Sequence, residues 1–199
     1  MPSIYLLRHG ETEASRAGRM CGRKDSPLTE EGLQALGRLL LPPADVAFSS
    51  PSSRCVHTAS IVGYPEPVLD SALREVDFGA WEQHTFDEAA ARDGDAAAAY
   101  LADPFAFTFP GGEGLADLER RIDDFIRTSL MPRAARGETI LVVSHAGPLK
   151  MLLLLLLGMG AGHFWVIDIQ PAKTSEIAYT YDGGLHARLV RLNGTDMRG

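Results

Sequence analysis

Apolar positions along the chain follow two rhythms. Short unbroken runs closed by glycine or serine read as buried strands, and apolar residues three and four apart read as helices. Ile4–Leu7 is the first run, and it empties into Arg8-His9-Gly10-Glu11-Thr12. A polar loop over 14–27 follows, broken by Gly18, Gly22 and Pro27 and carrying Arg16, Arg19, Arg23 and Lys24. Those cations are either a solvated loop or a basic rim over a site. Thr29 reads as an N-cap before Glu30 and Glu31, and Leu33, Leu36, Leu39 and Leu40 keep helical spacing. A helix is predicted from Glu30 to Leu41, stopped by Pro42-Pro43.

Val46–Phe48 is a second buried strand, running through Ser49-Ser50-Pro51-Ser52-Ser53 into a helix from Arg54 to Val62. Val68-Leu69 is a minor strand. The segment 73–82, rich in acids and aromatics and broken by Gly79, reads as a functional loop. Thr85 and Glu88 form a capping box ahead of an alanine-rich helix reaching Leu101. Leu115, Leu118, Ile122, Phe125 and Ile126 mark another helix. Thr139–Val143 is the strongest strand and repeats the opening pattern: it ends in Ser144-His145-Ala146-Gly147, and a very apolar helix follows. Phe164–Ile169, Thr174–Tyr181 and Ala187–Leu192 are predicted strands, the last two joined by a hairpin at Asp182-Gly183-Gly184. The alternation predicts one three-layer α/β/α domain over residues 1–199 with a mixed, mostly parallel sheet. The strands ending near His9, Ser49 and His145 should be its central neighbours, because their ends carry the chemistry.

The 199 residues suffice for one sizeable core. A net charge of −7 argues against nucleic acid or an anionic membrane surface as partner, without excluding a locally basic pocket. Cys21 and Cys55 form neither a disulfide framework nor a metal-spaced cluster, which favours a reducing, cytoplasmic setting. No signal-peptide pattern opens the chain. The run Met151–Leu157 is far short of the ~20 residues of a membrane span; it reads as core, or as the face of a homodimer. Trp81 and Trp165 read as packing residues, and His57, His84, His163 and His186 as ordinary histidines.

Two strand-end histidines, His9 and His145, share one sheet edge with Arg8, Arg54 and the acid loop around Glu75. A histidine there can be a base, a metal ligand or a nucleophile. Arginines beside the imidazoles repel a cation but pair bidentately with phosphate or carboxylate, so no metal is expected. Glu75 shares its loop with Asp77 and Glu82, either of which competes for the same role.

Five segments in order resemble the histidine phosphatase superfamily, which also holds the cofactor-dependent phosphoglycerate mutases. They are Arg8-His9-Gly10-Glu11-Thr12, Asp25–Thr29, Ser49-Ser50 with Arg54, Leu73–Glu82, and Pro110–Glu113 with Ser144–Gly147. The resemblance spans nearly the whole chain and implies a phosphoglycerate mutase-like fold. It also implies that His9 takes the phosphoryl group, that Arg8, Arg54 and His145 hold its oxygens, and that Glu75, with a raised pKa, is the proton donor. No cofactor or metal is implied, and the partner is a small phosphorylated metabolite. Weaker substrate contacts are expected from Ser15, Cys21 and Gly22. Three positions depart from the family pattern: Ser15 for a usual asparagine, Gly114 for a serine, and Gln83 for a glycine. The shortness of the chain favours hydrolysis over mutase action. The loop 73–82 is similar to that of the α-ribazole phosphatase branch.

Overall fold

The computed structural model describes residues 1–197. Its six-stranded sheet comprises β1 (Ser3–Arg8), β2 (Val46–Ser49), β3 (Val68–Leu69), β4 (Ile140–Ser144), β5 (Thr174–Tyr181) and β6 (Leu185–Gly194). The order is β3-β2-β4-β1-β5-β6. The β3, β2, β4 and β1 strands run parallel, whereas β5 and β6 add an antiparallel edge. The helices are α1 (Glu13–Arg16), α2 (Glu30–Gly37), α3 (Ser53–Ile61), α4 (Phe86–Arg92), α5 (Gly94–Ala102), α6 (Leu115–Phe125), α7 (Met131–Ala134) and α8 (Ala146–Leu156).

Strand side chains alternate between two apolar layers, which makes the fold a three-layer sandwich. Ile4, Leu6, Phe48, Ile140 and Val142 pack against α6 and α8. Tyr5, Leu7, Ala47, Leu141 and Val143 pack on the opposite face, against Cys55 and Ala59 of α3. Leu149 and Leu152–Leu154 are all buried in the first layer. The leucine run is therefore mostly core, the first of its two readings, with Leu155 and Leu157 only partly buried.

Three predicted elements differ. The helix expected to reach Leu41 stops at Gly37, because Leu40 instead exchanges backbone hydrogen bonds with Thr195 and Met197 of the C-terminal segment. The helix expected from Thr85 to Leu101 divides into α4 and α5. Asp93 leaves helical geometry (φ −144°, ψ 83°), and its carboxylate accepts the Ala96 N–H, capping the second piece. The predicted strand Phe164–Ile169 does not form: Phe164–Val166 close a 3₁₀ turn over Ala161–Val166, and residues 167–169 are irregular. Phe164 is buried, but Trp165 and Val166 are 51% and 70% exposed, so the apolar run is not inserted in a sheet.

Candidate active site

Register brings the two histidines together. Arg8 pairs with Ser144 across the parallel β1–β4 ladder, so the next residue of each strand is a histidine. The His9 N–H donates to the Ser144 carbonyl at 3.0 Å. The two buried rings meet edge-on with centroids 5.0 Å apart. His9 Nδ1 lies 2.7 Å from the Gly10 carbonyl oxygen. A carbonyl only accepts, so Nδ1 carries the proton and Nε2 keeps its lone pair. Burial, then Arg54 and Arg8, push the His9 pKa down to about 3, so the ring is neutral at ordinary pH. His145 is also held neutral, by burial and then by His9 and Arg54. Arg54 Nη2 donates to its Nδ1 at 3.1 Å, which leaves the proton on Nε2, 2.9 Å from Ser50 Oγ.

Arg54 lies in the first turn of α3 and is fully buried. Its Nη2 donates to the carbonyls of Cys21 (3.0 Å) and Gly22 (2.9 Å), and its Nη1 to Lys24 O (3.2 Å) and Asp25 Oδ1 (3.1 Å). The other Asp25 oxygen accepts the Ser53 N–H, a cap that α3 receives from a distant loop and not from its own serines. That loop is in turn gathered by Glu82, whose buried carboxylate accepts the N–H groups of Gly22 (3.3 Å), Arg23 (2.7 Å) and Lys24 (3.3 Å). A side chain at Gly22 would bring its Cβ within 2.1 Å of the Val76 carbonyl oxygen. Cys21 and Gly22 thus hold Arg54 through their backbones, and Ser15 completes a capping box with Thr12. The expected cationic rim is largely spent on ion pairs: Arg16 with Glu11 and Glu31, Arg19 with Glu88, and Arg23 with Asp77 and Glu113.

Arg8 Nη1 donates to the Ile169 carbonyl at 2.7 Å. The Nε atoms of both Arg8 and Arg54 are buried without a hydrogen-bond partner among the described residues. Buried guanidinium donors left unpaired are costly, and an anion at this point would satisfy them.

Glu75 reaches the same edge from the acid loop. Its buried carboxyl accepts the N–H groups of Val76 (3.0 Å) and Gly147 (3.2 Å), the latter in the first turn of α8. Burial raises its pKa despite these donors and the nearby Arg8 and Arg54. A Cβ at Gly147 would sit 2.5 Å from Glu75 Oε1, so a larger residue there would displace the Glu75 carboxyl. Behind it, Arg121 donates to the Glu75 carbonyl at 3.3 Å and pairs with Glu113 at 3.0 Å. The rival acids are engaged elsewhere, Glu82 as described and Asp77 in accepting the Gly79 N–H. No cluster of histidine, cysteine and acidic residues among the described residues could hold a metal.

A cavity of about 330 Å³ opens beside Glu75, walled by Trp81, Tyr100, Phe107, Phe109 and Trp165, with Lys150 at its side. The Trp81 ring lies 5.3–5.8 Å from those of Tyr100, Phe107 and Phe109. Both tryptophans line this cavity; Trp81 also packs, as expected, in a buried apolar cluster. The cavity was not legible in the sequence, because its lining runs from Gly18 to Trp165, in segments that folding alone brings together.

A family model for the histidine phosphatase superfamily (branch 1) matches residues 4–193. The chain belongs to the histidine phosphatase superfamily. Among relatives of this superfamily member, a bifunctional protein of Mycobacterium tuberculosis is 37% identical over 199 residues, covering 96% of this chain and 54% of its own length. The chain thus spans about half the length of that relative. The adenosylcobalamin/alpha-ribazole phosphatase of Salmonella typhimurium is 34% identical over 182 residues, covering 87% of this chain and 89% of its own. In structure, the alpha-ribazole phosphatase of Shigella flexneri superposes with a TM-score of 0.87 at 28% identity, covering 98% of this chain and 97% of that one.

Two of the family departures acquire a structural account. Gln83 sits at φ +66°, in the left-handed region where glycine is favoured. Gly114 begins α6 where a Cβ would press to 2.9 Å from Thr108 Oγ1.

Proposed function

We propose that the chain hydrolyses a small-molecule phosphate monoester through a phosphohistidine on His9, without a metal or cofactor. The observation that carries this reading is a neutral, proton-free Nε2 on His9 beside two arginines with unpaired buried Nε donors. Nε2 attacks phosphorus as the ester P–O bond breaks, and Glu75 gives its proton to the departing alkoxide. Arg8 and Arg54 bind the equatorial oxygens, and His145 joins them by turning its Nε2–H from Ser50 Oγ to the phosphoryl group; positioning and charge compensation are the main needs of phosphoryl transfer. Glu75, now a carboxylate, takes a proton from water. The water oxygen attacks phosphorus, the P–N bond breaks, and inorganic phosphate leaves with His9 neutral again.

The substrate we favour is α-ribazole 5′-phosphate, a ribosylated benzimidazole processed in cobalamin assembly. Its aromatic base suits the aromatic cavity beginning at Glu75. A phosphoglycerate, small and anionic, gains little from such walls, which speaks against the mutase alternative. The intact site speaks against a non-catalytic phospho-ligand sensor. A cytoplasmic, reducing setting fits the two free thiols, and no helix of the described residues is long and apolar enough to cross a membrane.

The test is phosphate release from α-ribazole 5′-phosphate, 3-phosphoglycerate and sugar phosphates in the presence of a chelator. Preferred hydrolysis of α-ribazole 5′-phosphate is expected. Isomerised 3-phosphoglycerate would establish the mutase instead, and no turnover the sensor. His9→Ala should lose activity by roughly four orders of magnitude or more, together with any acid-labile phosphoprotein.

A further inference from the structure

Lys150 stands one helical turn after Gly147, whose N–H holds the Glu75 carboxyl. It lines the same aromatic cavity as Glu75 and is the one cation among the cavity's lining residues. Its Nζ lies 5.5 Å from the Phe164 ring centroid and 5.6 Å from that of Trp165. The ammonium makes no hydrogen bond or ion pair within the described residues, so its N–H donors are open to a bound molecule. It is half-buried, and the charged groups that bear on it are Asp168, Arg8 and Glu75. A desolvated ammonium with no acceptor is costly, and a cation over rings recovers only part of the loss. It shares the cavity with both the proposed proton donor and the aromatic wall, and that shared lining bears on what a bound substrate would present to it. The ester oxygen leaves at Glu75 and the base rests among the rings. The atoms between them are those of the linking sugar.

We propose that Lys150 is a specificity-determining residue that donates hydrogen bonds to the hydroxyl or ring oxygens of the sugar joining the phosphoryl group to the aromatic base. The assignment rests on the substrate reading above. It gives the cavity a rule: the preferred leaving group is an aromatic glycoside, neither a bare aryl group nor a bare sugar.

The experiment compares the wild type, Lys150→Met and Lys150→Arg on α-ribazole 5′-phosphate and on phenyl phosphate, which has the ring but no sugar. Lys150→Met is expected to raise KM for α-ribazole 5′-phosphate by about tenfold or more, the effect of losing a charged hydrogen bond, with kcat within about threefold. KM for phenyl phosphate should stay within about twofold, and Lys150→Arg should recover most of the loss because it restores a cationic donor. Equal changes on both substrates, or none on α-ribazole 5′-phosphate, would overturn the role of Lys150. A wild type that hydrolyses phenyl phosphate but not α-ribazole 5′-phosphate would overturn the substrate reading, and the sugar contact with it.

Discussion

The phosphoryl end and the aromatic cavity meet at Glu75 but are built on opposite principles. At the phosphoryl end almost every polar atom is tied. Arg54 alone donates to four loop oxygens and to His145, and that loop is gathered by Glu82. Its geometry follows from the sheet, since the parallel register of β1 and β4 sets the histidines side by side. The cavity walls carry few polar groups and draw Trp81, Phe86, Tyr100, Phe107 and Phe109 from a separate apolar cluster, with Val76, Leu115 and Phe164 from the main core. On the proposed reading, reaction chemistry would sit on a hydrogen-bonded edge, and substrate choice on shape and apolar area. Changes at the first should strike kcat and changes at the second KM.

After the loss of His9 itself, the largest expected break is at the boundary. Glu75→Gln should lower kcat by about 10²–10⁴-fold on alkyl phosphates, and by less on p-nitrophenyl phosphate, whose leaving group needs no proton. The pH dependence sharpens this. His9 stays neutral down to about pH 3, so it imposes no fall near its ordinary 6.5. Wild-type kcat should fall as pH rises through the raised pKa of Glu75, and that fall should be absent in Glu75→Gln. Stability carries the same sign. Above 4.5 the unfolded chain has released a proton that folded Glu75 retains, so stability relative to the variant should decline as pH rises through that window, as urea unfolding at several pH values would report.

A smaller effect is expected one step behind the chemistry. Glu82→Ala frees the loop that anchors Arg54 and should lower kcat by roughly tenfold or more across all substrates, because misplacement of a catalytic group by about 1 Å is costly. A change confined to one substrate would instead assign Glu82 to the cavity. Phe107→Ala, in the cavity wall, should raise KM for α-ribazole 5′-phosphate by about tenfold and leave kcat within about threefold, on the area of one aromatic contact. A collapse of kcat would show that the two regions are not separable. The smallest effect concerns the backbone between them. Gln83→Gly should leave kinetics unchanged and raise stability by up to ~1 kcal/mol in thermal unfolding, by relieving a left-handed residue.

Much of the phosphoryl end was legible in the chain. Short apolar runs ending in Arg8-His9 and Ser144-His145 state both the strands and their cargo, and a helix start after the second strand places Arg54 at the same edge. These are local signals, and strand order near the centre of a parallel sheet leaves them few arrangements. Reading failed where apolar pattern served something other than an ordinary element. Phe164–Ile169 looked like a strand, but its first residues bury one ring under α8 and place the next beside the cavity. The basic loop looked like a rim, but ion pairs with Glu11, Glu31, Glu88, Asp77 and Glu113 consume most of its arginines.

The sequence by itself determined the strand-end chemistry, because periodicity, glycine turns and capping act over a few residues and leave their mark in neighbouring letters. Only the tertiary structure decided which carboxylate is buried beside the histidines, which backbone carbonyls orient Arg54, and that Trp81, Tyr100, Phe107 and Lys150 share one cavity. Those outcomes depend on desolvation and on contacts between segments far apart in the chain, which no local pattern encodes.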